Sequence, residues 1–136
     1  MQITREFSRH QVIPMVFAQA NVAADQTDAQ LKDASGQVEG VTMAFDGVIV
    51  GLTVDLSAAA TAGELTVGVT INGTENATTT QTVTTATAAR AIFDRDAVKF
   101  AAGDKLGVEI TTNSTWDGTT ADLAVTVLAA VAVAGI

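Results

Sequence analysis

The sequence predicts an all-β chain folded as an antiparallel two-sheet β-sandwich, and three observations carry that expectation. Apolar residues alternate with polar or small ones at a period of two in several segments. Turn-forming pairs such as Asn72-Gly73 separate those segments. No stretch shows helical spacing of comparable strength. The 136 residues, 48% of them apolar, are enough for one domain that buries its own core. With no cysteine in the chain, that core cannot be stapled by disulfides.

Taken in order, the first strand is expected near Val12–Gln19. Asn21 to Gln37 is polar and Ala-rich, and reads equally as a long loop or a short helix. A strand near Val38–Phe45 follows, and Asp46-Gly47 suits a type I′ hairpin turn into Val48–Leu56. In that strand Val48, Val50, Leu52, Val54 and Leu56 share one face against Gly51, Thr53 and Asp55. Glu64–Ile71 repeats the pattern through Leu65, Val67, Val69 and Ile71, and Asn72-Gly73 turns it toward a Thr-rich edge strand at Thr78–Thr85. Ala91–Phe100 supplies one or two further pieces, and Ala102-Gly103-Asp104 turns the chain into Lys105–Thr112. Asn113 to Thr120 reads as a loop, and Ala121–Val133 as the last strand.

That is about eight short strands, a count that favours a jelly-roll-like sandwich over the seven-stranded immunoglobulin type. The Cys…Trp…Cys pattern of the latter is absent. The expected organisation is an N-terminal arm over residues 1–11 and a single domain over 12–136.

Composition narrows the function classes. Seven basic against fifteen acidic side chains give a net charge of -8, and no basic stripe offsets it, so a nucleic-acid partner is not expected. The apolar run Leu123 to Ile136 is shorter than the ~20 residues of a membrane-spanning helix, and its valines suit a buried strand. Arg5, Arg9, Val12–Phe17 and Ala18-Gln19-Ala20 imitate a secretory signal, but Glu6 and Pro14 interrupt it. Assembly inside the cell that makes the chain is the expectation.

Few residues point to catalysis, and no enzyme is expected. Ser8 and His10 would share a face of an extended segment, yet no orienting acid or oxyanion device accompanies them. Asp94, Asp96, Asp104 and Asp117-Gly118 offer loop carboxylates without the EF-hand spacing of a calcium loop. Asn72-Gly73-Thr74, Asn76-Ala77-Thr78 and Asn113-Ser114-Thr115 match the glycosylation acceptor pattern, as Asn turns in a Thr-rich chain do by chance. No cofactor or metal is assigned. Trp116, the single Trp, and Asp117 mark a candidate ligand loop; the same Trp can instead cap an end of the sandwich.

The last strand is more informative. Leu123, Val125 and Val127 form one apolar face, and Ala124, Leu128, Ala130 and Ala132 make most of the second face apolar as well. A strand apolar on both faces is not an ordinary half-exposed strand. Leu128, Ala130 and Ala132 are therefore assigned to a contact between identical subunits, with cover by a loop of the same chain as the alternative.

Gly63-Glu64-Leu65-Thr66-Val67 leading to Ile71-Asn72-Gly73-Thr74, then Phe100-Ala101-Ala102-Gly103-Asp104-Lys105-Leu106-Gly107-Val108, then Trp116 before Asp122-Leu123-Ala124-Val125-Thr126-Val127, form a succession. It resembles jelly-roll proteins of tailed-phage virions, the capsid decoration (cement) and head-fibre proteins, over roughly Val48 to Val133. Trimeric C1q- and TNF-like heads carry similar patterns. The resemblance implies a homotrimer on the outer capsid surface of a virion, assembled in the host cytoplasm. Its partner is then the major capsid protein, and its task is to hold the shell against internal pressure. Under that reading Arg5, Phe7, Arg9 and His10 are an arm gripping the capsid or a neighbouring subunit. A carbohydrate- or receptor-binding module working through Trp116 is the alternative.

Overall fold

A computed structural model describes residues 10–38 and 40–132. Eleven antiparallel strands and one 3-10 turn make up the order: β1 (His10–Gln19), β2 (Ala29–Gln30), β3 (Val41–Thr42), β4 (Gly47–Leu56), β5 (Leu65–Ile71), β6 (Thr74–Glu75), the turn at Ala77–Thr79, β7 (Gln81–Val83), β8 (Ala88–Ile92), β9 (Lys99–Phe100), β10 (Lys105–Thr112) and β11 (Leu123–Ala132). One sheet runs β1-β11-β4-β8, with β9 beside β8 on the same flank of β4. The second runs β2-β10-β5-β6, with β3 also on β10 and β7 also on β5.

The short strands fall into shared positions, so the eleven reduce to eight. The pairing is nested: β1 with β11, β2 and β3 with β10, β4 with β8 and β9, β5 with β6 and β7. Rolling that nest brings β11 against β4 and β10 against β5. This is the double Greek-key order of a jelly roll, as the strand count predicts.

The core follows from the alternation. Leu123, Val125, Val127, Ala129 and Val131 of β11 are all at or below 2% exposure, and Phe17, Ile49, Leu52 and Val54 join them from the flanking strands. Leu65, Val67 and Val69 of β5 and Leu106, Val108 and Ile110 of β10 supply the facing layer. The side chains of the two inner faces fill the ~10 Å between sheets.

Several local expectations are corrected. Val38–Phe45 forms only the two-residue β3, because Gly40 crosses left-handed against the backbone of Leu106 and Met43 then bonds to the Asp104 carbonyl. Asp46-Gly47 is not a hairpin: β3 and β4 lie in different sheets, and neither residue has positive φ. Gly47 is needed for space, since a Cβ there would sit 2.4 Å from the Ala130 carbonyl oxygen and 2.5 Å from the Phe100 ring. Thr78–Thr85 is split, because Asn76 caps the 3-10 turn through the Thr78 N–H before β7 forms. Asn21 to Gln37 is loop, with β2 and an Ala18–Lys32 bridge, and contains no helix. His10 and Gln11 belong to β1, so the sandwich starts inside the segment expected as an arm. Arg5, Phe7 and Arg9 lie outside the described residues.

Asn72-Gly73 behaves as its sequence predicts: both residues have positive φ and turn β5 directly onto β6. Gly63 and Gly36 have nearly the same positive φ, +89 and +85, but differ in space. A Cβ on Gly63 would lie 2.3 Å from the Trp116 backbone, whereas one on Gly36 meets nothing within 4 Å. Gly36→Ala is expected to cost about 1 kcal/mol of stability and Gly63→Ala about 3 kcal/mol or more. Urea denaturation of the two variants checks this, and equal costs would refute the steric account.

Candidate functional site

The two outer faces of the sandwich are unlike. On the β10–β5 sheet, Thr66, Gly68 and Thr70 stand opposite Thr111, Glu109 and Gly107. Gln30, Thr70 and Glu75 lie flat over the two glycines: Glu75 covers Gly68, while the Thr70 hydroxyl and Gln30 amide cover Gly107. Glu109 is held beneath this layer at 7% exposure and accepts a 3.0 Å hydrogen bond from Gln30 Nε2. Burial, and then the nearby Asp28 and Glu75 carboxylates, raise its carboxyl above the ordinary range. This face is polar and finished by its own chain.

The outer face of the β1-β11-β4-β8 sheet is apolar and unfinished. Register places Val12, Pro14, Val16 and Ala18 of β1 beside Ala130, Leu128, Thr126 and Ala124 of β11. Beyond them lie Val48, Gly51, Thr53 and Asp55 of β4, then Ala88, Arg90 and Ile92 of β8. A bulge opposite Leu128/Ala129 adds Val50 to the surface beside Val48. Leu128 lies across Gly51, where a Cβ would meet its Cδ1 at 3.3 Å, and so stays half-buried. Val12, Val16 and Ile92 have no such cover and are 59%, 48% and 84% exposed.

Leu128, Ala130 and Ala132, the residues assigned to a subunit contact, all lie on this face, the first two half-buried and the third exposed. The sequence reading missed β1's share of it. The signal was present, because Val12 to Ala18 carries no charge on either face. His10 stands opposite Ala132 at the same end of the sheet.

Ala130 and Ala132 also edge an open groove of about 960 Å³ at that end. Val48, Val50, Phe93 and Phe100 line it with apolar surface, and Asp46, Arg95, Asp96, Lys99 and Asp104 surround them. Asp46 Oδ1 accepts from the Ala102 N–H at 2.8 Å, and Asp104 accepts from the Ala101 N–H and the Asn72 amide. Those bonds, the Ala101 N–H first, hold Asp104 below the usual carboxylate range.

Trp116 and Asp117 work differently from a ligand loop. Trp116 is 2% exposed, and its Nε1 donates to the Val22 carbonyl at 3.1 Å. Its ring fills the space above Gly118, where a Cβ would approach to 2.5 Å. Asp117 accepts from the Thr61 hydroxyl and from the Thr61 and Ala62 N–H groups, which hold its carboxyl below the usual range. Together they fasten the 61–63 and 113–118 loops over the end of the sandwich, and the ring offers no stacking surface. Among the described residues, no three His, Cys, Asp or Glu side chains converge on a metal-sized site.

No protein-family model matches the chain, and no curated protein is similar to it in sequence. Among solved structures, a chain of turnip yellow mosaic virus is similar over 90% of this chain and 81% of its own length, at 13% identity and a TM-score of 0.36.

The carboxylates differ in their pH signatures. Asp104 and Asp117 have depressed values, so their stabilisation is present above the unfolded carboxylate range and is lost as pH falls through their folded values. Glu109 has the opposite sign: its contribution favours the fold below the unfolded value and is lost as pH rises through the raised folded one. Glu109→Gln keeps the Gln30 contact and removes the repulsion. It is expected to unfold at higher temperature than the parent near neutral pH and to converge with it below about pH 4. Calorimetry at several pH values checks this, and a variant less stable than the parent near neutrality would refute it.

Proposed function

We propose that the chain is a non-enzymatic virion structural protein. In this reading it is a capsid decoration protein that sits on the outer capsid surface as a homo-oligomer, a trimer, and stabilises the shell. The observation that carries it is the contrast between the two outer faces: one is finished by its own polar side chains, while the other exposes apolar residues of β1, β11, β4 and β8, with Thr126, Thr53, Asp55 and Arg90 toward its far end. Faces of that kind on soluble domains are contact surfaces. The jelly-roll order and the sequence resemblance to cement proteins are compatible with it, and the partners it names are the major capsid protein and other copies of the chain.

Magnitudes favour a multivalent mode. Three ten-residue strands and one five-residue strand, at ~3.4 Å rise and ~4.8 Å spacing, give a face of roughly 600 Å². At about 25 cal/mol per Å² of apolar surface its burial yields at most roughly 15 kcal/mol, less for the share held by Thr126, Thr53, Asp55 and Arg90, against a ~4–15 kcal/mol cost of association. One such contact is modest. Several, tied together in an oligomer on a symmetric shell, multiply through effective concentration. The charge-bearing flank, Arg90 and Lys99 on β8 and β9, would form the polar rim of such a contact. A glycan-binding role would need a stacking ring other than Trp116, whose indole is buried.

Leu128→Glu is expected to lower occupancy on capsids lacking the protein at least tenfold while leaving the unfolding midpoint nearly unchanged. Thr66→Glu, on the polar face, should bind as the parent does. Co-sedimentation with such capsids checks both, and full occupancy by Leu128→Glu would overturn the assignment of the face.

A further inference from the structure

We propose that the groove at the end of the apolar sheet receives residues 5–9 of a second copy of this chain. The inference rests on the homo-oligomer reading above and deepens it by naming the segment and its seat. Position, chemistry and chain length carry it.

Position comes from the register. His10 is the first residue of β1 and stands opposite Ala132, and Ala132 and Ala130 edge the groove. β1 therefore begins at the end of the sheet where the groove lies. The segment before His10 contains no Gly, Pro, Asn or Asp, and Ser8 is its one residue of the types that favour tight turns. A neighbouring copy's groove is the seat that needs no reversal.

The chemistry is complementary. Arg5-Glu6-Phe7-Ser8-Arg9 sets one aromatic ring between charges of both signs. The groove offers Val50, Phe93 and Phe100 as an apolar floor for a ring. Its rim carries Asp46 and Asp96 for the arginines and Arg95 and Lys99 for Glu6. Among the described residues, the side chains of Arg95, Asp96 and Lys99 have no hydrogen bond or ion pair, so they remain available to an incoming segment. Length fits as well: five residues span at most ~17 Å, and crossing from β11 over β4 to β9 takes about 10 Å. Segment and groove are different surfaces of the same chain, so the contact is heterologous and closes as an exchanged dimer or a ring.

Sedimentation equilibrium of the full chain tests this, with Glu6→Lys, Lys99→Glu and the two combined. Each single variant should weaken self-association at least tenfold, and the combined variant should restore it, since opposite charges then face one another again at positions 6 and 99. An oligomer indifferent to both single changes, or one not restored by the combination, overturns the exchange while leaving the apolar-face contact standing. A monomeric parent overturns both readings. Should Lys99→Glu not fold, Arg5→Glu/Arg9→Glu lies outside the sandwich and supplies the same comparison. Because the chain has no cysteine, Ser8→Cys/Lys99→Cys adds a direct measure of which copy is engaged. A disulfide-linked oligomer is expected, and a linked species of monomer size overturns the second-copy assignment.

Discussion

The last strand is the constraint on which the rest of the molecule depends. β11 lies between β1 and β4 and pairs with each along nearly its whole length. Apart from the Ala18–Lys32 bridge, β1 has no other sheet neighbour among the described residues, so its ten residues are held only once β11 has arrived. The closure entropy of so distant a pairing must be met by burial, and the unbroken row Leu123, Val125, Val127, Ala129 and Val131 supplies it. The row's small outward partners follow from the same placement. Leu128 must pass over Gly51, and Gly47 must leave room for the Ala130 carbonyl and the Phe100 ring.

That central placement also explains the two unlike surfaces. In the β10–β5 sheet, glycines at 68 and 107 leave shallow ground on which Glu75, Thr70 and Gln30 lie down, closing the surface with polar atoms. Closing it this way has a cost, visible in the raised carboxyl of Glu109 beneath. In the other sheet, the outward positions from Val12 to Ala18 of β1 and from Ala124 to Ala132 of β11 are Val, Pro, Ala, Leu and a single Thr, too short or too apolar to form such a layer. Nothing in the described chain substitutes for it, which is why Val12, Val16 and Ile92 stand in solvent. Most of the acidic charge sits in loops and on the finished face; on the apolar sheet it is confined to Asp55 and to the loop carboxylates at the rim of the groove.

How much of this was legible depended on whether the determining contact was local. Lys105–Thr112 and the Asn72-Gly73 turn were readable because strict alternation and paired positive φ are properties of adjacent residues. Asp46-Gly47 misled because the same dipeptide serves a crossing between sheets, and the reason for its glycine, Ala130 and Phe100, lies far away in sequence. Trp116 was readable as a loop residue, but its burial depends on Val22 and Gly118. Of the apolar face, Leu128 and Ala130 were visible in the two-faced pattern of the last strand. Val12 and Val16 were hidden in a segment apolar on both sides and broken by Pro14. The groove draws on four separate stretches of chain and has no local signature.

Pro14 shows how the uncovered sheet is kept from uncontrolled association. Ala18 exchanges both backbone bonds with Lys32, at 2.8 and 3.1 Å, on the side of β1 away from β11. By alternation, Val16, Pro14 and Val12 direct their backbone groups to that same free edge. Pro14 has no N–H to offer there, so a strand added along β1 would lose a bond midway. Exposed valines on a long edge would otherwise be a template for indefinite strand addition. With the edge blunted, the apolar surface of this sheet can be buried only face-on. A face-on contact has a fixed area and orientation, the property that a closed assembly requires and an open-ended one does not.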